Sequence, residues 1–213
     1  MRKLPIIPNY RKKTPYLIGF ITKTSSNRKM SFKIQFGKII PGLKIYGEPA
    51  EYPVLNERDA RAAAGIMLVL AIFAFTQAFL MRQFIFLQIF VMLFLIEFWI
   101  RIIVNPDYAP FYALGRLLVK KQIPEYSGAI QKRFAWSLGF ILAVSMFFIA
   151  IVFGIRGIVP FSICSVCIFL LWAESTLGVC IGCKIYSWLI NVGIIKPKVR
   201  AACPGGVCSI NKK

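Results

Sequence analysis

Six cysteines are the most reactive side chains of this 213-residue chain, and they fall into three pairs: Cys164-x2-Cys167, Cys180-x2-Cys183 and Cys203-x4-Cys208. A deprotonated cysteine is both a nucleophile and a soft metal ligand, so close pairs point to thiol exchange or to metal binding. Histidine is absent. That removes every Ser-His, Cys-His and His–metal arrangement. The pair Cys180 and Cys183 stands where a helix is expected to end, and it reads as a redox dithiol or as half of a metal site. Lys184 follows directly and is expected to favour the thiolate. Cys203 and Cys208, in the tail string CPGGVC, are the candidate exchange partners.

A second reading uses the same four sulfurs. Nineteen residues separate Cys183 from Cys203, the spacing of a four-thiolate site for zinc or an iron–sulfur centre. Pro204-Gly205-Gly206 would turn the tail so that both of its sulfurs face inward. Cys164 and Cys167 sit inside an apolar run and read first as small hydrophobes. If one rigid helix joined them to Cys180, the separation would be about 24 Å. Direct sulfur relay between these pairs is thereby excluded.

The elements that must position these groups are hydrophobic helices. Of all residues, 58% are hydrophobic, against 27 Lys+Arg and 8 Asp+Glu, for a formal net charge of +19. Soluble domains are less apolar, and disordered chains far less. Four stretches, residues 62–81, 84–104, 134–153 and 159–179, approach the ~20 residues a helix needs to cross a bilayer. Very short links join the first to the second and the third to the fourth. The expected fold is therefore an all-α, integral-membrane four-helix bundle of two hairpins.

Its parts are a basic N-terminal extension (1–55), the four-span domain (56–195) and a cysteine-bearing tail (196–213). Lys and Arg concentrate before the first stretch, in the central connection and in the tail, so the positive-inside rule places both termini in the cytoplasm. MRKLPIIPNYRKK is not read as a signal peptide, because Pro5 and Pro8 break its short apolar part. The runs SFKIQFGKII and LKIYG suit short strands, or contact with anionic head groups through Lys33, Lys38 and Lys44. No nucleic-acid partner is expected, since the basic residues sit where topology requires them.

Three charges fall at similar depth: Glu97 and Arg101 in the second stretch, Glu174 in the fourth. A buried charge in lipid needs a partner, so an interior Glu97–Arg101–Glu174 cluster is expected. It would serve as a polar clasp, as a proton relay or as an anion site on Arg101. Ala135, Gly139 and Ala143, like Ala71, Ala74 and Ala78, mark faces for close helix packing. NPDYAPF reads as a helix-ending turn, with Tyr108, Phe111 and Tyr112 among the head groups.

NERDARAAAG, EFWIRIIVNPDYAPF, GAIQKRFAWSLGF and GVCIGCKIY together resemble the bacterial family known as domain of unknown function 4395, across roughly residues 54–190. The resemblance implies a small four-span protein of the bacterial inner membrane, and it singles out Cys180 and Cys183. The function expected is thiol redox or sulfane-sulfur handling with a thioredoxin-like or rhodanese-like partner. The alternatives are a four-cysteine module for zinc or iron–sulfur, and a transporter subunit or scaffold without cysteine chemistry.

Overall fold

The computed structural model describes residues 36–41, 44–45, 48–49 and 52–195. Six α-helices dominate: α1 (Glu57–Phe79), α2 (Ile85–Trp99), α3 (Pro110–Leu118), α4 (Ala129–Phe147), α5 (Ile158–Ser175) and α6 (Ile181–Asn191). A π-helical turn extends α2 through Ile100–Val104, and another extends α4 through Phe148–Val152. Among the described residues four segments are long and apolar enough to cross a membrane: Glu57–Phe79, Ile85–Val104, Ala129–Val152 and Ile158–Ser175. They stay apolar on their outer faces, where Val69, Phe73, Ile89, Ile96, Ile141 and Phe169 are exposed. A helix that is apolar all round suits lipid on one side and packing on the other.

The first and third spans begin earlier than the hydropathy suggests. Asn56 caps α1 by accepting the Arg58 amide (3.3 Å), and its side-chain amide donates to Asp59 Oδ1 (2.7 Å). Glu57 and Asp59 then sit in the first turn, where the helix dipole favours acidic groups. Both are buried, so charge that reads as solvent-facing lies inside the fold. The same happens on α4, which starts at Ala129 and buries Gln131 and Lys132.

The fourth span ends at Ser175. The stretch expected to run to residue 179 is cut short. The chain breaks over residues 176–180, with Gly178 in the left-handed region (φ +65°), and resumes as α6. The central connection also holds more than a turn. Pro106–Tyr108 forms a 3-10 turn capped by Asn105, which accepts the Asp107 amide (3.0 Å), and α3 follows.

Small strands tie the helix starts together. Among them, β1 (Lys44–Ile45) pairs with β2 (Glu48–Pro49), while β3 (Val54–Asn56) pairs antiparallel with β4 (Tyr126–Gly128), Val54 opposite Gly128. Lys38 bridges to Val54. The β3–β4 ladder thus clamps the entries of α1 and α4 side by side.

Packing is tight wherever small residues face each other. Ala60, Ala63, Ala64 and Ala71 line the buried face of α1, and Phe94, Phe98 and Trp136 fill the centre. Gly115 lets α3 lie on α1, since a Cβ there would come within 2.5 Å of the Ala63 nitrogen. Gly182 does the same for α6 on α4, where a Cβ would meet Ala135 Cα at 2.7 Å. Gly182→Ala is accordingly expected to destabilise the protein by about 1–3 kcal/mol through overpacking, and because the close atoms include the Ala135 Cα, trimming Ala135 to glycine should not relieve it. Thermal unfolding of the detergent-solubilised Gly182→Ala variant checks this. An unfolding midpoint equal to that of the wild type would contradict the contact.

Candidate functional site

The first turn of α6 carries the CIGC pair. Cys180 is the N-cap, in extended conformation (φ −84°, ψ 101°), and its sulfur accepts the Cys183 amide at 3.4 Å. A helix start offers unpaired amide donors and the positive end of the dipole, a setting suited to an electron-rich sulfur. The two Sγ atoms lie 2.7 Å apart. Both thiols are buried, Cys180 at 4% and Cys183 at 1% exposure. The Cys183 thiol is pushed well above the ordinary thiol range, first by its hydrogen bond to Cys180, then by burial and by negative charge on Cys180.

Lys184 is turned outward and exposed. The cation that bears on the sulfurs is Lys132 of α4, whose charge opposes the upward push on Cys183. Lys132 is completely buried. Its Nζ donates to Glu57 Oε1 (2.8 Å) and to Glu174 Oε1 (2.7 Å). Ser127 Oγ on β4 donates to Glu57 Oε2 (2.9 Å), and Arg61 Nε lies 3.6 Å from Glu57 Oε1. Arg61 also reaches the break before α6, where its guanidinium donates to the Gly178 carbonyl (3.4 Å). A side chain at Gly178 would meet that guanidinium at 2.6 Å. Four segments therefore converge beneath the dithiol: the starts of α1, α4 and α6 and the end of α5.

The expected Glu97–Arg101–Glu174 cluster resolves into two separate groups. Glu174 belongs with Lys132 and Glu57. Glu97 and Arg101 pair on their own, with Arg101 Nε and Nη2 donating to Glu97 Oε1 (2.9 and 2.5 Å). The remaining capacity of Glu97 is taken by the start of α3, since the Phe111 amide donates to Oε2 and the Tyr112 amide to Oε1, both at 2.9 Å. Arg101 lies over the rings of Phe98, Tyr112 and Trp136 at 5.3–5.5 Å and reaches Met67 Sδ (3.5 Å). Its charge is met by a carboxylate and its faces by aromatic rings. Such a clasp holds α3 under the end of the second span.

Tyr112 is therefore an interior residue and no head-group anchor, whereas Tyr108 is exposed. Burial drives the Tyr112 hydroxyl far above its ordinary range.

Cys164 and Cys167 lie within α5, half-buried. Cys203 and Cys208 fall outside the described residues, as does any four-sulfur site that includes them. Among the described residues no group of three or more His, Cys, Asp or Glu side chains could hold a metal ion.

Lys132 is hidden in the sequence because it sits among the basic residues of the central connection, next to Arg133, where topology accounts for charge. A periodic signal is present nonetheless. Ala129, Lys132, Trp136, Gly139, Ala143 and Met146 recur at alternating intervals of three and four, the signature of one helix stripe. Lys132 sits on that stripe with Trp136, Ala143 and Met146, all buried.

Residues 55–191 match a protein family described as a domain of unknown function (DUF4395). No curated protein and no solved structure matches the chain.

Proposed function

The chain belongs to the DUF4395 family, and from that starting point we propose that it is a multi-pass membrane dithiol protein whose Cys180 and Cys183 exchange electrons with a disulfide-bearing, thioredoxin-like partner. The observation that carries this reading is the sulfur pair 2.7 Å apart at a helix start, above a buried lysine held by two carboxylates. The distribution of Lys and Arg supports a cytoplasmic position for this end of the bundle. A bacterial inner membrane is the setting that fits.

The exchange runs in two steps. Cys180 sulfur attacks one sulfur of the partner's disulfide, and the partner's other sulfur leaves as a thiolate. Cys183 then attacks Cys180 Sγ and its proton passes to the departing partner sulfur, which releases the partner as a dithiol. Two electrons pass to the partner; the proton lost by Cys180 on attack goes to solvent and the first partner thiolate takes one up from solvent, so a Cys180–Cys183 disulfide remains and the protons balance. The Glu174 charge, held in place by Lys132, adds to the upward push on the Cys183 thiol. Because both sulfurs are buried, the segment 176–180 must open for a partner to reach them.

The test is differential alkylation with intact-mass detection on the purified full chain. Mild oxidation should remove two alkylation sites, and a small dithiol should restore them. Alkylation near neutral pH should be slow at Cys183, whose thiol is pushed up by its hydrogen bond to Cys180 and by burial. Cys183→Ser should trap a mixed disulfide with the partner through Cys180, and Cys180→Ser should abolish it. A pair that stays fully alkylatable after oxidation would overturn the proposal. So would stoichiometric zinc or iron that is lost with Cys203. An added mass of one sulfur on the pair would redirect the assignment to sulfane-sulfur carriage for a rhodanese-like donor.

A further inference from the structure

A second group of sulfurs lies along α5, half-buried and away from the α6 dithiol. A small cavity of about 30 Å³ opens between α1, α2, α4 and α5, and Met146, Cys164 and Cys167 are in its wall together with apolar residues such as Phe90, Phe94 and Ile163. We propose that these three sulfurs form a site for one soft monovalent cation of the Cu(I) or Ag(I) class.

Size, donor type and charge argue for this occupant. One water-sized group needs about 10–15 Å³ of such space, so the cavity has room for a single ion. A water would need two to four polar partners, and the named wall offers sulfur and hydrocarbon. Thiolate and thioether donors select soft cations such as Cu(I). Oxygen-seeking Mg²⁺ and Ca²⁺ have no ligands there, and Zn²⁺ wants four. Cys164 and Cys167 are three apart on one helix, so their side chains share a face, while Met146 approaches from α4.

Charge balance completes the case. One thiol loses its proton to bulk water as the cation binds its sulfur; the second thiol and the thioether coordinate as neutral donors. A single positive charge replaces a single proton, so the occupied site stays neutral. A net charge in this apolar setting would be strongly disfavoured.

The experiment uses the full chain with Cys180, Cys183, Cys203 and Cys208 all replaced by serine, purified in detergent under a non-thiol reductant. That background also removes the sulfurs of the proposed exchange reaction, so the two ideas stand or fall separately. After incubation with Ag(I) or with Cu(I) held by a competing chelator, the desalted protein should retain one equivalent of metal by elemental analysis. Adding Cys164→Ala and Cys167→Ala should abolish retention while leaving thermal unfolding and monodispersity intact. Met146→Leu should weaken it by roughly tenfold or more, as loss of metal-site partners does. With no change at the site itself, bound Ag(I) should also shield Cys164 and Cys167 from a membrane-permeant maleimide. No metal on the four-serine chain, retention that survives loss of Cys164 and Cys167, or unchanged maleimide labelling would each overturn the proposal.

Discussion

Lys132→Met is expected to lower stability by about 3–5 kcal/mol, the range for removing one partner of a buried ion pair. Methionine keeps most of the lysine stem, so the loss would report charge and hydrogen bonding rather than a cavity. Two carboxylates would be left facing one another: Glu57, itself buried, and Glu174, both within 2.8 Å of the lost ammonium. Glu57 would keep Ser127 and the more distant Arg61. Glu174 has no other ion-pair partner among the described residues. Adding Glu174→Gln should return part of the stability, because it removes the repulsion between the two carboxylates while Glu57 stays without its ammonium. Chemical unfolding of the two variants in detergent gives the comparison.

The same substitution has a second expected effect. Lys132 supplies the positive charge that opposes the upward push on Cys183. Without it the thiol should hold its proton more tightly and the second step of the exchange should slow. Closure of the pair after oxidation, followed by timed alkylation, reads this separately from folding. A variant that unfolds at the wild-type point and closes at the wild-type rate would contradict both roles.

Arg101→Met carries a comparable expected loss, again about 3–5 kcal/mol. Glu97 is wholly buried, and among the described residues Arg101 is the one cation it pairs with. Without the guanidinium the carboxylate would retain only the Phe111 and Tyr112 amides. Replacing both charges, as Glu97→Leu with Arg101→Met, should recover much of the stability of the spans, since an apolar pair of similar volume can match a buried ion pair. It should not recover the anchoring of α3, because the two amides at its start would have no acceptor. Hydrogen exchange over residues 110–118 distinguishes these outcomes. Protection of α3 that persists in the double variant would mean its packing through Gly115 suffices.

These two clusters differ in how far they can be foreseen. Glu97 and Arg101 are one helical turn apart, so their pairing follows from local geometry alone. The partners of Glu97 on α3 do not, because they depend on the chain folding back after the π turn. Lys132 meets Glu57 across 75 positions of sequence and Glu174 across 42. No short-range pattern encodes which of two depth-matched cations Glu174 will choose. The helix starts are obscured for a related reason. Glu57 and Lys132 are charged, and hydropathy ends a span where charge begins, whereas here each neutralises the other inside the fold.

The amino-acid order alone determines that four helices of this chain are apolar enough to span a bilayer, that short links fold them back on one another, and that two cysteines stand together near the end of the last. Those properties are local, arising from runs of about 20 side chains and from the spacing of neighbours. Only the tertiary structure decides that α6 begins anew after Gly178, that Gly182 brings it against α4, and that Lys132 and not Lys184 bears on the sulfurs. Burial of a charge is favourable only when its partner is already in place, and that partner is supplied by the rest of the fold.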